Sequence, residues 1–291
     1  EAVTKERLGD LAEILRPYQL TGVRWMEALA RGGQGGLLGD DMGLGKTLQS
    51  IALLRAADLR GPALIVCPKS LLGNWKAEFE RFAPEFKVVI HHGSDRESVV
   101  NSSQDNDVIL TTYALISRDL KDLQKASFSL ILLDEASYIR NPDTAAAKAL
   151  RKIPAKARFS LTGTPIENSV RDLWSILHFT LPGYLGDRDH FKERFEAPLA
   201  AGSGTPAGRA AGQRLKRLVQ PFFLRRTKGE VLKELPEKIE QVLWCDPTPA
   251  QAQVYSRILD EGRDEIRAAQ KRAGGAARMT MFTVLLRLRQ V

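Results

Sequence analysis

A glycine-rich stretch near the start of the sequence carries residue types that bind phosphate groups. Residues 38–47 read LGDDMGLGKT and lead into a segment with helical periodicity. Glycines allow successive backbone N–H groups to turn toward an anion, and a helix N-terminus adds partial positive charge. Lys46 is then expected to reach the β- and γ-phosphates of a nucleotide, and the Thr47 hydroxyl to bind Mg²⁺. The generic pattern has Gly where this sequence has Asp40, so a glycine-rich turn that precedes Lys-Thr by chance is the alternative interpretation.

An acidic pair follows a buried-strand pattern further along the chain, where residues 130–135 read LILLDE. Carboxylates at the C-terminal end of a parallel strand lie where open α/β sheets bind ligands. Asp134 is expected to hold Mg²⁺, mostly through water, and Glu135 to orient and deprotonate an attacking water. Alone, an Asp-Glu pair is equally typical of a helix cap. Together with Lys46 and Thr47, in this order and with a strand between, the pair predicts a P-loop nucleoside triphosphatase.

Short apolar runs alternate with helical patterns over most of the chain. Strands are predicted at 63–66, 88–90, 108–110, 130–133 and 159–161, and helices at 15–29, 47–59, 72–82 and 169–179. This alternation predicts an α/β fold, a parallel sheet flanked by helices on both faces. Residues 31–45 are expected to form a loop, and Trp75 to be a core residue of its helix. Within the charged, mostly helical stretch 184–220, the composition of residues 200–212 (AAGSGTPAGRAAG) predicts a flexible loop.

Composition excludes several classes of protein. The 291 residues are 43% hydrophobic and carry a formal charge of +8, so the chain can form a core, and its basic balance weakly indicates a polyanionic partner. Two cysteines, Cys67 and Cys245, exclude a disulfide scaffold and argue against a cysteine-based zinc site. The longest apolar runs are far shorter than the ~18 residues that span a bilayer, so no membrane partner is expected.

Further motifs follow in a fixed order: LRPYQ at 15–19, CPKSL at 67–71, TTY at 111–113, LTGTPIEN at 161–168 and PFFLRRTK at 221–228. With the two motifs above, they resemble the first RecA-like lobe of a superfamily-two helicase, and specifically the Swi/Snf-type ATPases that translocate on double-stranded DNA. The resemblance covers about residues 11 to 291. In that family the position of Asp40 is ordinarily acidic, so the departure from the generic phosphate loop becomes a match.

The resemblance implies roles for individual residues. ATP is expected at Arg16, Gln19, Met42, Gly43, Gly45, Lys46 and Thr47. Gln19 would contact the adenine edge, because one amide can both donate to and accept from a purine. DNA phosphates are expected at Lys69, Ser70, Thr111, Thr112 and Thr164, since small hydroxyls and a lysine suit contacts that do not depend on base sequence.

Two features stand apart from these roles. Ser137 takes a place where the family usually has His or Gln, and it is too short to span the same gap to Thr162 and Thr164. The catalytic carboxylates are intact, so this change bears on coupling to DNA and leaves the chemistry of hydrolysis in place. Arg225 and Arg226 are expected to have a structural role between lobes, pairing with acids such as Glu230 and Glu234, in preference to direct phosphate contact.

The resemblance also implies the domain organisation. Residues 1–182 are expected to form the ATP-binding RecA-like lobe and 183–220 a helical protrusion. Residues 221–247 would then form a junction, and 248–291 a helical segment that leads into a second RecA-like lobe and has a weak point at 274–275. In the family the second lobe brings arginines to the γ-phosphate, which is worth about 10³–10⁵ in rate. We therefore interpret the chain as a fragment and expect it to bind ATP weakly and hydrolyse it slowly or not at all.

The function expected is that of the ATP-binding, Mg²⁺-dependent lobe of a DNA-dependent ATPase that translocates on double-stranded DNA. It would act in a chromatin remodeller, with a nucleosome as partner, or in a bacterial helicase-like enzyme that acts on stalled RNA polymerase or in DNA repair. The alternative from a different class is a nucleotide-dependent binding module without motor action. The alanine-, glycine- and arginine-rich composition favours a bacterial cytoplasmic (nucleoid) location over a nuclear one, and a monomer is expected.

Overall fold

The computed structural model describes residues 5–57, 60–93, 103–164, 169–202, 204–231, 244–270 and 276–291. The chain divides into two compact units, residues 1–235 and 236–291, and each is described by itself.

The first unit is organised around a seven-stranded sheet in which every strand pair is parallel. The strands are β1 (Gly36–Leu38), β2 (Ala63–Cys67), β3 (Lys87–Ile90), β4 (Asp107–Thr112), β5 (Phe128–Leu133), β6 (Ala155–Leu161) and β7 (Phe223–Leu224). Their order across the sheet is β3-β4-β2-β5-β6-β1-β7. All residues of β2, β4 and β5 are buried, as expected for parallel strands covered on both faces. The predicted α/β class is confirmed.

Helices cover both faces of this sheet. In chain order they are α1 (Lys5–Leu8), α2 (Leu11–Ile14), α3 (Pro17–Arg31), α4 (Lys46–Ala56), α5 (Leu72–Phe82), α6 (Tyr113–Ile116), α7 (Leu120–Leu123), α8 (Ala145–Leu150), α9 (Val170–Thr180), α10 (Arg188–Phe191), α11 (Ala197–Ala200), α12 (Pro206–Val219) and α13 (Lys228–Val231). Shorter 3₁₀ turns lie at Lys69–Leu71, Ala136–Ile139 and Gln220–Phe222, and a π-helical turn lies at Lys192–Glu196.

The alternation of side chains along β5 divides the apolar core into two layers. Ile131 and Leu133 point into the layer that contains α9, whereas Leu130 and Leu132 point into the layer that contains α4 and α5. Because this strand is apolar on both faces, its carboxyl end is fixed in position, and the two acidic residues that follow it are fixed with it.

Two expected loops contain regular structure. Residues 31–45 include β1, which is only three residues long and begins with Gly36, so its pattern was too short to indicate a strand. Residues 200–212 run into α12, which begins after the Thr205 cap and whose small residues allow close packing. A Cβ on Gly208 would lie 2.2 Å from the Gly202 carbonyl oxygen, so the small residues that suggested flexibility instead permit a packed helix.

The strand β7 was not predicted at all. It pairs with β1 through Leu37↔Phe223 and Leu38↔Leu224. The segment 221–247, expected to be a junction, therefore begins as the edge strand of the sheet and lies beside the strand that leads into the phosphate loop.

The second unit contains two helices, α14 (Pro249–Gln270) and α15 (Ala276–Arg289). They approach closely at Gly262, where a Cβ would lie 2.3 Å from a methyl group of Val284. An ion pair between Arg287 and Glu265, 3.2 Å long, also joins them. The predicted weak point at 274–275 lies outside the described residues. No helix in the described part of the chain has the length and apolar content that a bilayer crossing requires.

Candidate functional site

The phosphate loop connects β1 to α4 and depends on two glycines in left-handed conformations. Gly43 has φ +85° and Gly45 has φ +73°, values that residues with a side chain rarely adopt. At Gly45 space is also lacking, because a Cβ there would lie 2.3 Å from Gln19 Nε2. The loop therefore passes close to α3 and turns into α4 through a backbone shape that only glycine fits.

Hydrogen bonds to the Leu44 carbonyl group hold the loop against α3 and α4. The Leu44 oxygen accepts hydrogen bonds from Tyr18 Oη at 3.3 Å, Gln19 Nε2 at 3.2 Å and Gln49 Nε2 at 3.3 Å. In a trans peptide unit the C=O and N–H groups point in opposite directions. The Gly45 N–H consequently points away from these three side chains, the arrangement required for a loop whose amides bind an anion.

Lys46, at the start of α4, lies against the loop backbone. Its Nζ donates to the carbonyl oxygens of Asp40 at 2.7 Å and Asp41 at 3.2 Å. Burial lowers the pKa of Lys46, while the negative charges of Glu135, Asp40 and Asp134 act in the opposite direction. The ammonium group is thus surrounded by carboxylates and held at the loop.

Asp134 lies at the carboxyl end of β5 with both side-chain oxygens hydrogen-bonded. Its Oδ2 accepts from Trp75 Nε1 at 2.9 Å and its Oδ1 from the Glu135 N–H at 2.9 Å. The Tyr113 hydroxyl donates to the Asp134 carbonyl oxygen at 2.7 Å. Burial raises the pKa of Asp134, whereas the two bonds to its carboxylate and the Lys46 charge oppose that rise. These contacts fix the orientation of the carboxylate.

Glu135 has a strained backbone, with φ 51° and ψ 55°. Among the described residues only one other non-glycine, Asn106, has a positive φ. Such conformations cost free energy and concentrate at functional sites. Burial, followed by the negative charge of Asp134, raises the pKa of the Glu135 carboxyl, which suits a group that accepts a proton.

The structure brings these groups together in one cleft of about 370 Å³ at the carboxyl edge of the sheet. Lys46, Thr47, Asp134 and Glu135 line it, together with Met42, Gly43, Gly45, Leu48, Leu71, Asn74, Trp75 and Glu78. Of the nucleotide residues implied by the resemblance, only Arg16 and Gln19 are absent from this lining. The described residues contain no group of three His, Cys, Asp or Glu side chains that could hold a metal. A Thr hydroxyl and one carboxylate still fit Mg²⁺, which usually keeps water and substrate-phosphate ligands.

Gln19 and its neighbours connect α3 to the loop. Gln19 is buried, and its Oε1 accepts from the Arg16 N–H at 2.9 Å while its Nε2 donates to the loop at Leu44. The Arg16 side chain is exposed at the helix start. The adenine contact expected of Gln19 stays a prediction; what the structure adds is that its amide already braces the phosphate loop.

The five residues expected at DNA phosphates lie at or just after the carboxyl ends of strands on the same edge of the sheet, but they differ in exposure. Lys69, Ser70 and Thr164 are exposed. Thr111 and Thr112 are buried, and the Thr111 hydroxyl donates to a carbonyl oxygen, that of His91, at 3.2 Å. The described conformation therefore presents the first three side chains to solvent and keeps the two β4 threonines inside.

Ser137 contacts its own turn. Its hydroxyl donates to the Glu135 carbonyl oxygen at 3.5 Å, while the Thr164 N–H donates to Thr162 Oγ1 at 3.1 Å. The short serine therefore bonds back toward the acidic pair, in agreement with the expectation that it would not span the gap to the threonines.

The expected partners of the two arginines in PFFLRRTK are not those observed. Arg226 forms a buried ion pair with Asp40, and Arg225 lies 3.4 Å from Asp41, so both bind the phosphate loop. Glu230 instead accepts hydrogen bonds from the N–H and hydroxyl of Thr227 at 2.7 and 2.9 Å. The other suggested partner, Glu234, lies outside the described residues. Both arginines bind the loop because β7 pairs with β1 and so places them beside the phosphate loop.

Sequence reasoning missed two residues that support the acidic pair, Trp75 and Tyr113. Both are buried aromatic side chains that carry one polar atom. The Trp75 N–H donates to the Asp134 carboxylate, and the Tyr113 hydroxyl donates to the Asp134 carbonyl oxygen. Helical spacing correctly placed Trp75 in the core, but no sequence signal showed where its N–H would point. Tyr113 ends the TTY motif and directly follows β4. Its position was a weak sequence signal for a site residue, because the carboxyl ends of the strands converge at this edge.

A larger cleft of about 490 Å³ lies at the opposite edge of the sheet, near the amino ends of the strands. Several of its charged side chains are in ion pairs, among them Arg55 with Glu85 at 3.0 Å and Asp107 with Lys87 at 3.8 Å. Because parallel α/β sheets bind ligands at the carboxyl ends of their strands, the smaller cleft is the better candidate site.

Comparison with known proteins decides the family. The sequence profile of the SNF2-related domain matches residues 18–291. The chain belongs to the SNF2-related family. The SWI2/SNF2 ATPase core of Sulfolobus solfataricus, solved in complex with double-stranded DNA, superposes with a TM-score of 0.69 at 40% identity and is matched by 95% of this chain. The resemblance and the RecA-like fold expected of an SNF2-type chain are confirmed.

Curated relatives agree with this assignment. The TATA-binding protein-associated factor MOT1 of Saccharomyces cerevisiae is 40% identical over 83% of this chain. An uncharacterized ATP-dependent helicase of Mycoplasma pneumoniae is 36% identical over 95% of it. The chain spans 14% of the first relative, 26% of the second and 57% of the Sulfolobus chain.

Proposed function

We propose that this chain binds ATP with Mg²⁺ and forms the first catalytic lobe of an ATPase that translocates on double-stranded DNA. The observation that carries the proposal is the convergence of Lys46, Thr47, Asp134 and Glu135 on one cleft at the carboxyl edge of the sheet. Membership of the SNF2-related family and likeness to a DNA-bound ATPase core support it.

Each side chain has a role that follows from its environment. The loop amides and Lys46 would bind the β- and γ-phosphates, and Thr47 with Asp134 would hold Mg²⁺, which supplies charge neutralisation on the phosphates. Glu135 would orient the attacking water and take its proton. The pKa of Glu135 is raised, so its carboxylate is a better proton acceptor than an exposed one, and it does not have to hold the metal as well.

Binding to DNA would use the exposed residues that follow the strands at the same edge, Lys69, Ser70 and Thr164. Contacts of this kind engage phosphates without regard to base sequence. Thr111 and Thr112 would support this surface from inside the sheet. A salt titration of duplex binding tests the proposal, because phosphate-dominated binding weakens steeply as salt increases.

The nucleotide half is tested by titrating a fluorescent ATP analogue into the chain with and without Mg²⁺. Lys46→Ala is expected to weaken binding strongly without loss of the circular dichroism spectrum, and Thr47→Ala to remove the Mg²⁺ dependence. Lys76→Ala is the matched control, since this lysine lies exposed on α5, where it forms an ion pair with Glu80 at 3.8 Å. Equal binding by the parent, Lys46→Ala and Lys76→Ala would refute the proposed site.

The second candidate is a nucleotide-dependent binding module, in which ATP occupancy switches a partner surface without motor action. The two differ in a protein that joins this chain to a second RecA-like lobe. A motor shows hydrolysis that duplex DNA stimulates and Lys46→Ala abolishes, whereas a switch shows nucleotide binding with no stimulation by DNA.

We also propose the physiological setting. A nucleosome and a DNA-bound RNA polymerase are the two partner classes we propose, with action as a monomer. The basic composition supports the DNA half of each complex. We place the protein in the bacterial cytoplasm, at the nucleoid, in preference to a nucleus. Fractionation of cells that produce it, followed by nuclease release, tests that placement.

A further inference from the structure

Asp40 stands where the generic phosphate loop has glycine, and the structure shows what its carboxylate contacts. The residue is completely buried. Its Oδ1 accepts from the backbone N–H of Arg226 at 3.1 Å and from Arg226 Nε at 2.9 Å. Its Oδ2 accepts from Arg226 Nη2 and from Gln49 Nε2, the latter at 3.2 Å. A buried carboxylate with this many donors is fully compensated, so the aspartate is a specific partner for a residue 186 positions later.

Arg226 uses its whole guanidinium group in the same cluster. Besides Asp40, it donates from Nη2 to Gln49 Oε1 at 2.8 Å and from Nη1 to the Tyr18 carbonyl oxygen. The guanidinium also lies over the Tyr18 ring, 5.2 Å from its centroid. No lysine reproduces this set of contacts, because they use the planar fork of arginine.

Gln49 transmits this arrangement to the phosphate loop. Its Nε2 donates to the Leu44 carbonyl oxygen, the anchored group whose peptide unit directs the Gly45 N–H. Arg226 holds the other end of the same amide, so the orientation of Gln49 is fixed at both of its polar atoms. The chain of contacts runs from Arg226 through Asp40 and Gln49 to the residue just before Gly45 and Lys46.

The neighbouring helix leaves room for this cluster at Gly22. A Cβ there would lie 2.0 Å from Gln49 Oε1 and 2.8 Å from Arg226 Nη2. Gly22 has ordinary helical geometry, so its lack of a side chain serves close approach and not backbone shape. An otherwise unfavourable residue inside α3 is thereby explained by the same cluster.

We propose that Arg226 is a positioning residue for the phosphate loop, which it holds through Asp40 and Gln49 in the conformation that binds nucleotide phosphates. The inference rests on the proposed nucleotide function and deepens it. It makes the nucleotide site dependent on the segment that returns after the helical protrusion, and it gives the departure of Asp40 from glycine a physical reason.

The test is a double-mutant cycle in nucleotide affinity, measured with a fluorescent ATP analogue and Mg²⁺. Arg226→Met and Asp40→Gly are each expected to weaken binding by about tenfold, as when only a tenth of the molecules hold the competent loop. Arg226 bonds both Asp40 and Gln49, so part of its effect passes through Asp40. Arg226→Met should therefore weaken binding by less in the Asp40→Gly background than in the parent. Arg226→Lys, which keeps the charge and loses the fork, should fall between Arg226→Met and the parent.

A control separates positioning from general destabilisation. Arg31→Met removes the nearer of two cations from Glu27, another buried carboxylate, at the far end of α3; Arg31 lies 2.8 Å from it and Arg7 3.9 Å. This control should lower thermal stability and leave nucleotide affinity unchanged. Hydrogen exchange of the loop amides 43–47, measured without nucleotide, should increase in Arg226→Met and not in Arg31→Met. This second measurement decides between the variants even where binding is too weak to titrate.

Three outcomes overturn the proposal: unchanged affinity in Arg226→Met, an equal loss in the parent and Asp40→Gly backgrounds, or an equal loss in Arg31→Met. The second of these would show that Arg226 acts independently of Asp40. Absence of nucleotide binding by the unaltered chain would refute the proposed function instead, and the exchange experiment would still decide whether Arg226 orders the loop.

Discussion

The hydrogen bond between Trp75 and Asp134 is the contact whose removal is most informative about the acidic pair. Trp75→Phe keeps an aromatic ring in the core of the sheet and removes only the indole N–H and part of the ring volume. The bond is 2.9 Å long and buried, and Trp75 is 1% exposed.

Two contributions to the cost can be separated. A hydrogen bond to a charged group contributes about 1.5–3 kcal/mol, and the smaller ring leaves a void that costs roughly 1–2 kcal/mol. The expected total loss in the free energy of unfolding is therefore about 2.5–5 kcal/mol at neutral pH. Only the first contribution depends on the ionisation of Asp134, because the void is the same at every pH.

The pH dependence follows from the raised pKa of Asp134. The folded state binds this proton more tightly than the unfolded state, whose pKa is near the ordinary value of 3.8. Between these two pKa values the carboxyl group makes stability fall as pH rises. Trp75→Phe removes a bond that lowers the folded pKa, so the pKa rises further. The difference between variant and parent should thus be complete at pH 7.5 and shrink as pH falls through the folded pKa.

Urea unfolding followed by circular dichroism from pH 7.5 to pH 4 measures this difference. In an Asp134→Asn background, Trp75→Phe breaks only a neutral hydrogen bond, and its cost should fall by about 1 kcal/mol. A cost that is constant across this pH range and equal in both backgrounds would refute the reasoning. Trp75 would then be a packing residue alone, and Asp134 would be oriented by other contacts.

Three further predictions concern the loop, the strained glutamate and the thiols. Gly45→Ala and Gly33→Ala both place a side chain at positive φ, and each should lower the free energy of unfolding by about 1–2 kcal/mol. Gly33 has open space around it, whereas a methyl group on Gly45 would lie 2.3 Å from an amide nitrogen. Only Gly45→Ala should therefore abolish the rise in melting temperature that ADP causes. Glu135→Gly should be about 1 kcal/mol more stable than Glu135→Ala because glycine relieves the left-handed backbone, and equal urea midpoints would contradict this. Under the proposed function, both variants should lose DNA-stimulated hydrolysis in a protein that joins this chain to a second RecA-like lobe. Burial raises the pKa of Cys67 to about 12, so at pH 8 Ellman's reagent should label only the exposed Cys245 until the chain is denatured, and two fast-reacting thiols in the native chain would show that Cys67 is accessible.

The parts of the fold that the sequence predicted are those set by local pattern. Continuous apolar runs predicted β2, β4 and β5, and the spacing of Leu72, Trp75, Phe79 and Phe82 predicted α5. Burial on both faces makes the middle of each of these strands continuously apolar, so their pattern is unambiguous. The carboxyl ends of these strands then placed the acidic pair, and the convergence with Lys46 followed from the topology of a parallel sheet.

The parts that escaped prediction depend on contacts between distant segments. Strand β7 is two residues long, and it is a strand only because β1 lies beside it. The partner of Asp40 is 186 positions away, and many acids and bases in the sequence offered pairs of equal plausibility. Local propensity holds no information about which of these pairs forms, because the choice is made by tertiary packing.

The phosphate loop contains both residues that a local pattern predicts and residues whose contacts come from distant segments. The chemistry belongs to a local pattern, since Gly45 and Lys46 supply amide and ammonium donors wherever a loop of this shape forms. The shape itself is held by side chains from three separate regions, represented by Gln19, Gln49 and Arg226. A departure from a motif, as at Asp40, is therefore evidence about a distant partner. For Asp40 that partner is Arg226, on the segment that pairs beside the loop.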